Sequence, residues 1–402
     1  ELSLGSDRYS DFLREMAEYL GVYVAYNKAT DLQARFFNLE LSTRVLQQII
    51  DTDAVDVEAF YAQKPPPSPD EEAEILVIQA DGTGVPLVLE TPREPQVRLG
   101  KGKKRGRKKE AVVTSVYTIA SAPRTPEEVV ASYFHQDPKP ADKTVESKRS
   151  KPQNKHVWAT LEGKDVALAR LAKQVVARQG DHIQDQVALC DGCEALQTRI
   201  EARFPDFPLI LDFIHADEYL WKVANRLLGE TNEQRIEWVA HRALQMLSGE
   251  TEQIIAEFRR IAQEPKRSAS QREQLTKSAN YFERNLPYMD YPTYLSKGWP
   301  IASGVIEGAC RHLVKDRMEL SGMRWTQNGA ENLLHLRAVA ENDDWDAFHD
   351  FRKRQRHARL YNIPFPSLGS PEAQSLDITS SPAPSRKHSI ATQNRQELPL
   401  AA

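Results

Sequence analysis

Two short apolar runs, each closed by an Asp-Gly pair, constrain this chain more than any other feature. The first is Ile75 to Ile78 in EILVIQADGTGVPLVLE (74–90), and the second lies in QVALCDGCEAL (186–196). Runs this short and rich in branched residues suit strands buried on both faces. Asp81 and Asp191 follow them directly. In α/β sheets ligand sites form at the carboxyl ends of strands. Glycine beside the acid lets a backbone or ligand come close. Taken singly, either pair also suits a plain turn, and Asp81 is expected to end its strand.

The rest of the chain sets these two runs in an alternating pattern. EAVVTSVYTIA (110–120) is the clearest strand, and HVWATLE supplies a third. A helix is expected over 163–179, with Leu168, Leu171 and Val175 on one face. The strand before Asp191 runs on into another helix. PLILDFIHADEYLWKV (208–223) is a buried strand passing into a helix. If the chain turns helical at Asp212, that residue and His215 share a face; His215 also suits a structural histidine. Cys190 and Cys193 form a CxxC without a second ligand pair at zinc spacing, which reads as small core residues.

From 217 to 297 every segment carries helical spacing, so this stretch reads as a helical insertion. Beyond it, IASGVIEGACRHLVKDRMELSGMRW (301–325) reads as one helix, capped by Ser303 and stopped by Ser321-Gly322. Glu307 stands near its start. Arg311 and Lys315 follow at one-turn steps, with Arg317 nearby. A Glu307–Arg311 ion pair is the plainer use of that spacing. WTQNGAENLLHLRAVAEN (325–342) carries a capping box at Asn328 and Glu331.

The flanks differ in composition. Residues 1–64 are helical, either a helix-turn-helix DNA-binding unit or a small cap on the main domain, and PPPSP at 65–69 is a linker. GKGKKRGRKKE (100–110) concentrates Lys101, Lys103, Lys104, Arg105, Arg107, Lys108 and Lys109 in a solvated loop tip suited to phosphate contacts. Residues 136–155 read as a polar loop, 346–362 as a basic helical extension, and 363–402, rich in Pro, Ser and Gln, as a disordered tail. The main domain is therefore expected to comprise 70–216 and 298–345, split by the insertion.

The net charge of −4 over 402 residues confines any nucleic-acid binding to local patches. Three cysteines are too few for a disulfide framework, which points to a reducing cytoplasm. No apolar run reaches the ~18 residues of a membrane span. The start at Glu1 rather than Met predicts a fragment or a processed form.

Strand, strand, strand, helix, strand, helix, strand, insertion, helix is the order of an α/β, ribonuclease-H-like mixed sheet flanked by helices. Its first and fourth strands are neighbours, which brings Asp81 and Asp191 to one edge, and a packed helix can add Glu307. Three clustered carboxylates repel unless divalent cations neutralise them. Oxygen donors with open positions suit Mg²⁺ or Mn²⁺. Two such ions can drive an in-line phosphoryl displacement.

IQADGTGVP, LCDG, LILDFIHADEYLWKVA and SGVIEGACRHLVKDRMELSGMRW resemble the DDE transposases of bacterial insertion sequences, ISKra type, related to Mutator-like transposases. The resemblance covers roughly 70–360. It implies that Asp81, Asp191 and Glu307 are the catalytic, metal-holding triad, and that Asp212 and His215 match the C/D-x-x-H motif. It implies metal-dependent cleavage at transposon ends and strand transfer into target DNA. Terminal inverted repeats and target duplex are the expected partners. The insertion would help to grip the ends, and a homo-oligomer would synapse them in the cytoplasm, at the nucleoid. Arg311, Lys315, Arg317, Arg324 and the 101–109 run would contact phosphates. Trp325 suits either an unpaired base or the core. The alternatives are a ribonuclease-H-like structure-specific nuclease and a catalytically inactive or domesticated DNA-binding protein. Family members carry more sequence upstream, which leaves recognition of the terminal repeats open.

Overall fold

The computed structural model describes residues 9–88, 108–134, 151–320 and 322–361. The basic run 101–107, the polar stretch 135–150 and the tail 363–402 lie outside the described residues. Four helices open the chain: α1 Asp11–Tyr23, α2 Tyr26–Phe37, α3 Thr43–Asp53 and α4 Val57–Gln63. Ser10 and Ser42 cap α1 and α3 by accepting from Leu13 N and Val45 N, which satisfies donors that a helix start leaves unpaired. Then come β1 Ile75–Pro86, β2 Lys108–Ile119, α5 Pro126–Tyr133, β3 Gln153–Thr160, α6 Lys164–Arg178, β4 Asp185–Cys190, α7 Glu194–Arg203 and β5 Leu209–Leu211. Five helices follow without a strand: α8 Phe213–Leu228, α9 Gln234–Leu247, α10 Thr251–Ala262, α11 Ala269–Asn285 and α12 Tyr291–Ser296. The chain closes with α13 Gly304–Ala309, a π-helical turn Cys310–Lys315, α14 Asp316–Met318, α15 Gln327–Glu341 and α16 Trp345–Tyr361.

The strands form one mixed sheet in the order β3-β2-β1-β4-β5. β1 pairs antiparallel with β2, which pairs antiparallel with β3; β1 pairs parallel with β4, and β4 with β5. The period-2 alternation of β1 divides the core. Leu76, Ile78 and Ala80 pack with α6 and α7 on one face. Ile75 and Val77 face the opposite way, into a cluster with α8 to α12. Farther along that second face, Val85, Val113, Val157 and Ala159 pack against residues of α1, α3, α15 and the π-helical turn. The N-terminal helices thus share a core with the C-terminal ones.

Several local expectations change. β1 does not end at Asp81; it runs on to Pro86, paired with β2 throughout, so Asp81-Gly82-Thr83-Gly84 is strand rather than turn. Residues 301–325 are not one helix. The π-helical turn widens the spiral at Cys310, and helix stops at Met318. Arg311 therefore leaves the helical phase of Glu307 and lies 3.6 Å from Asp316 Oδ1. Beyond the helix Trp325 is extended: its N–H donates to Pro86 O and its C=O accepts from Val88 N. Thr326, not Asn328, caps α15, accepting from Gly329 N. Glu331 reaches instead to the end of β3, where it accepts from Leu161 N at 2.7 Å.

Three arginines of α16 pair with acids of the N-terminal helical region. Arg352 pairs with Asp53 at 3.0 Å, Arg356 with Asp11 at 2.6 Å and Arg359 with Asp56 at 2.9 Å. Arg352 is buried. These pairs lock α16 to α1, α3 and the turn after α3, because an unpaired buried guanidinium would cost several kcal/mol.

Candidate functional site

Three aspartates, Asp81, Asp191 and Asp212, stand where the parallel pairing of β1, β4 and β5 stops. The last parallel pair of β1 and β4 is Ala80 with Cys190. Asp81 and Asp191 are the next residue on each chain, so the register sets them on neighbouring strands. Asp212 follows β5, and its N–H donates to Cys190 O at 3.0 Å. Carboxylates therefore gather at the carboxyl end of the parallel pairing, where α/β sites usually form, although β1 itself runs on beside β2.

Each aspartate is held by local donors. Asp81 Oδ1 accepts from Gly82 N at 2.6 Å and Oδ2 contacts Cys310 Sγ at 3.4 Å. Asp191 Oδ1 accepts from Cys193 N at 3.0 Å. Asp212 is fully buried and serves as the N-cap of α8, accepting from Ile214 N at 2.6 Å through Oδ1. Its Oδ2 accepts from Ser303 N at 3.0 Å and from the Ser303 hydroxyl. Burial pushes the thiols of Cys190 and Cys310 up, and Asp191 or Asp81 beside each adds to it. Both cysteines stay protonated at neutral pH, as small core residues do.

Glu307 comes from α13, and the start of that helix is tied to the sheet by Gln79. Gln79 is buried on β1, two residues before Asp81 and on the same face. Its Oε1 accepts from Ile306 N at 3.0 Å and from Ser115 Oγ at 3.2 Å, while Nε2 donates to Tyr117 OH at 3.3 Å. Ser303 sits at the N-cap position but does not cap α13. Its hydroxyl serves Asp212 and lies 3.5 Å from Glu307 Oε1.

Glu307 is exposed and stands nearest Asp212 and His215. These three offer ligand atoms that all lie within 4.8 Å of one another. Asp81, Asp191 and Glu307 do not make such a group among the described residues. His215 Nδ1 is 3.4 Å from Asp212 Oδ2. The adjacent Asp212 carboxylate pushes the imidazole up to about 9, against burial, with Asp191 and Glu218 adding to it. Asp217, one turn into α8, is pushed up to about 7 by burial.

A groove of about 980 Å³ opens beside Asp191 and His215, lined by α8 and α11. Tyr219 and Tyr281 stack across it with ring centroids 3.7 Å apart. Lys222 lies 4.2 Å over the Tyr219 ring, and Arg284 donates to Gly192 O at 2.5 Å. Arg272 and Lys277 also line it, with the acids Asp191, Glu218 and Glu273, and Lys222 pairs with Glu218 at 3.2 Å.

The residues expected on DNA divide. Arg311, Lys315 and Arg324 are exposed. Lys108 and Lys109 lie on β2, and Lys108 pairs with Glu319. Arg317 does not stand where a phosphate could reach it, and Trp325 takes the core alternative. Arg317 is fully buried, donates to Gly21 O at 3.0 Å and lies 5.0 and 4.9 Å from the rings of Tyr26 and Trp325. Trp325 is buried too, with its indole N–H donating to Met318 O at 3.1 Å. Neither presents a face to a phosphate or a base; together they fasten α2 to the segment after α14. Lys101, Lys103, Lys104, Arg105 and Arg107 lie outside the described residues.

Sequence reasoning missed Gln79 and the Tyr219–Tyr281 pair. A glutamine inside the apolar run ILVIQAD was the available signal for the first, since a buried amide demands partners. Nothing local marked the tyrosines, which are 62 residues apart along the chain. Among the described residues no helix is long and apolar enough to cross a membrane. No protein-family model and no curated protein matches the chain.

Proposed function

We propose that the chain is a DDE-type DNA transposase of ribonuclease-H-like fold, cutting phosphodiesters at the ends of its element and joining them to target DNA. The observation that carries this reading is the parallel register that sets Asp81 beside Asp191, with the Glu307 helix pinned to the same strand through Gln79. The strand order and directions support the fold assignment. Asp81, Asp191 and Glu307 offer the oxygen donors that Mg²⁺ or Mn²⁺ takes, but their ligand atoms do not all lie within 4.8 Å of one another, so one shared ion would need the side chains to move closer. Bound there, such ions supply an activated water or 3′-hydroxyl and stabilise the leaving oxygen.

The protein's own groups position the strand. His215, beside Asp212 and lining the same groove as Asp191, orients the scissile strand or a flanking base. Lys222, Arg272, Lys277 and Arg284 attract phosphates into the groove, and the cost of distorting the substrate is met from such contacts away from the reacting bond. Arg311, Lys315 and Arg324 extend the basic surface on the α13 side.

The test is incubation of the protein with duplex carrying its element's ends and Mg²⁺, followed by separation of the products. Joined 3′ ends are expected. Cleavage without joining would assign a structure-specific nuclease instead, and DNA binding without cleavage an inactive DNA-binding protein.

A further inference from the structure

We propose that Asp212, His215 and Glu307 form a second kind of metal site, selective for a borderline cation of the Zn²⁺ class rather than for Mg²⁺. It shares Glu307 with the triad proposed above, but rests on its own geometry and not on that reading.

The donor set is two carboxylates and one imidazole, with ligand atoms mutually within 4.8 Å. Imidazole favours Zn²⁺ and its neighbours in the first transition row, whereas Mg²⁺ takes oxygen and water. His215 Nδ1 stands 3.4 Å from Asp212 Oδ2. That is close to the separation of two ligands around a tetrahedral ion with bonds of about 2.1 Å. The same nitrogen is shielded from solvent and faces Asp212 without a well-aligned hydrogen bond. A cation there would take the place of the proton that the Asp212 carboxylate otherwise favours on the ring, and binding would release that proton.

The scaffold already fixes all three donors. Asp212 and His215 are three residues apart at the start of α8, so the helix presents them on one face. Ser303 donates twice to Asp212 and reaches Glu307, joining the first turn of α13 to the first turn of α8. Phe213 N donates to Ile301 O at 2.9 Å, a backbone tie across the same gap. Partners of this kind orient ligands and raise affinity. Three protein donors leave one tetrahedral position open, as in sites that bind a water or a substrate oxygen.

The experiment is calorimetric titration of Zn²⁺ into chelator-treated full chain. The variants are His215→Gln, Glu307→Gln and Asp81→Asn, each checked for folding by its thermal transition. One Zn²⁺ site is expected, weakened at least about tenfold in His215→Gln and in Glu307→Gln and unchanged in Asp81→Asn. Absence of Zn²⁺ binding, or binding equal in His215→Gln, would overturn the site. Binding lost in Asp81→Asn but kept in His215→Gln would place the cation on the proposed triad and overturn it too. Loss of Mg²⁺-dependent cleavage in Asp191→Asn is a separate readout, so either proposal can fail alone.

Discussion

Gln79 Oε1 accepts a hydrogen bond from Ile306 N at 3.0 Å, joining β1 to the first turn of α13 across most of the chain. Gln79 precedes Asp81 by two residues on one strand face, and Ile306 precedes Glu307. One buried amide thus sets the spacing between the sheet acids and the helix acid.

Replacing that amide tests the link. Gln79→Leu keeps the bulk but leaves Ile306 N–H and Ser115 Oγ without their acceptor. The expected loss is about 1–3 kcal/mol of folding stability, read from the urea midpoint. DNA cleavage should fall further than stability does. A variant as stable as the parent, with full cleavage, would show that the tie is dispensable.

Gly192 lies directly after Asp191, where a Cβ would overlap the Tyr281 ring. Tyr281 is stacked on Tyr219 and has little room to retreat. Gly192→Ala should destabilise the fold by about 1–3 kcal/mol through overpacking, and adding Tyr281→Leu should recover part of it. Thermal unfolding of the single and double variants measures both. Additive losses would mean that ring and glycine do not meet.

Arg317 should matter to folding and not to DNA. Arg317→Leu removes a buried donor to Gly21 O and the cation lying near Tyr26 and Trp325. A loss of about 1–3 kcal/mol is expected, with the salt dependence of DNA binding unaltered. A phosphate contact would instead lower the slope of log affinity against log salt by about one. That result, with stability intact, would restore the phosphate role.

His156 sets a direction for acid unfolding. Burial, with Arg170 and Lys64 nearby, pushes its imidazole down to about 3. The folded form thus keeps the ring neutral while the unfolded chain binds a proton near pH 6.5. Its contribution is fully present above the unfolded value and is lost as pH falls toward about 3. Within that window it should cost about 1.4 kcal/mol per pH unit. Denaturant unfolding between pH 4 and 7 should give a shallower pH slope for His156→Gln than for the parent. Equal slopes would contradict a ring kept neutral by the fold.

Much of the sheet was legible because burial imposes period 2. Leu76 and Ile78 alternate with Ile75 and Val77, and both sets read as apolar because both faces are covered. The wide turn at Cys310 was not legible, since a π-helical turn shifts phase without changing residue types. Ile306, Ala309, Leu313 and Val314 are all buried, just as one regular helix would require. Arg317 looked like part of an exposed basic stripe because its partners Gly21 and Tyr26 lie almost three hundred residues earlier. The pairing of Asp212 with His215 followed from their spacing once the chain turned helical. That Glu307 stands with them depends on Ser303 and Gln79, long-range bonds that leave no periodic trace.

The central claim is that Asp81 and Asp191 act together in phosphodiester cleavage, and Mg²⁺-dependent nicking of end-bearing duplex by Asp191→Asn measures it most directly. The substitution removes a charge from a half-buried position and leaves the strand register intact. Nicking should fall by more than about a hundredfold, beyond the usual cost of losing an outer-shell partner, with the thermal transition and DNA affinity close to those of the parent. Nicking at the parental rate by a folded Asp191→Asn protein would contradict the account.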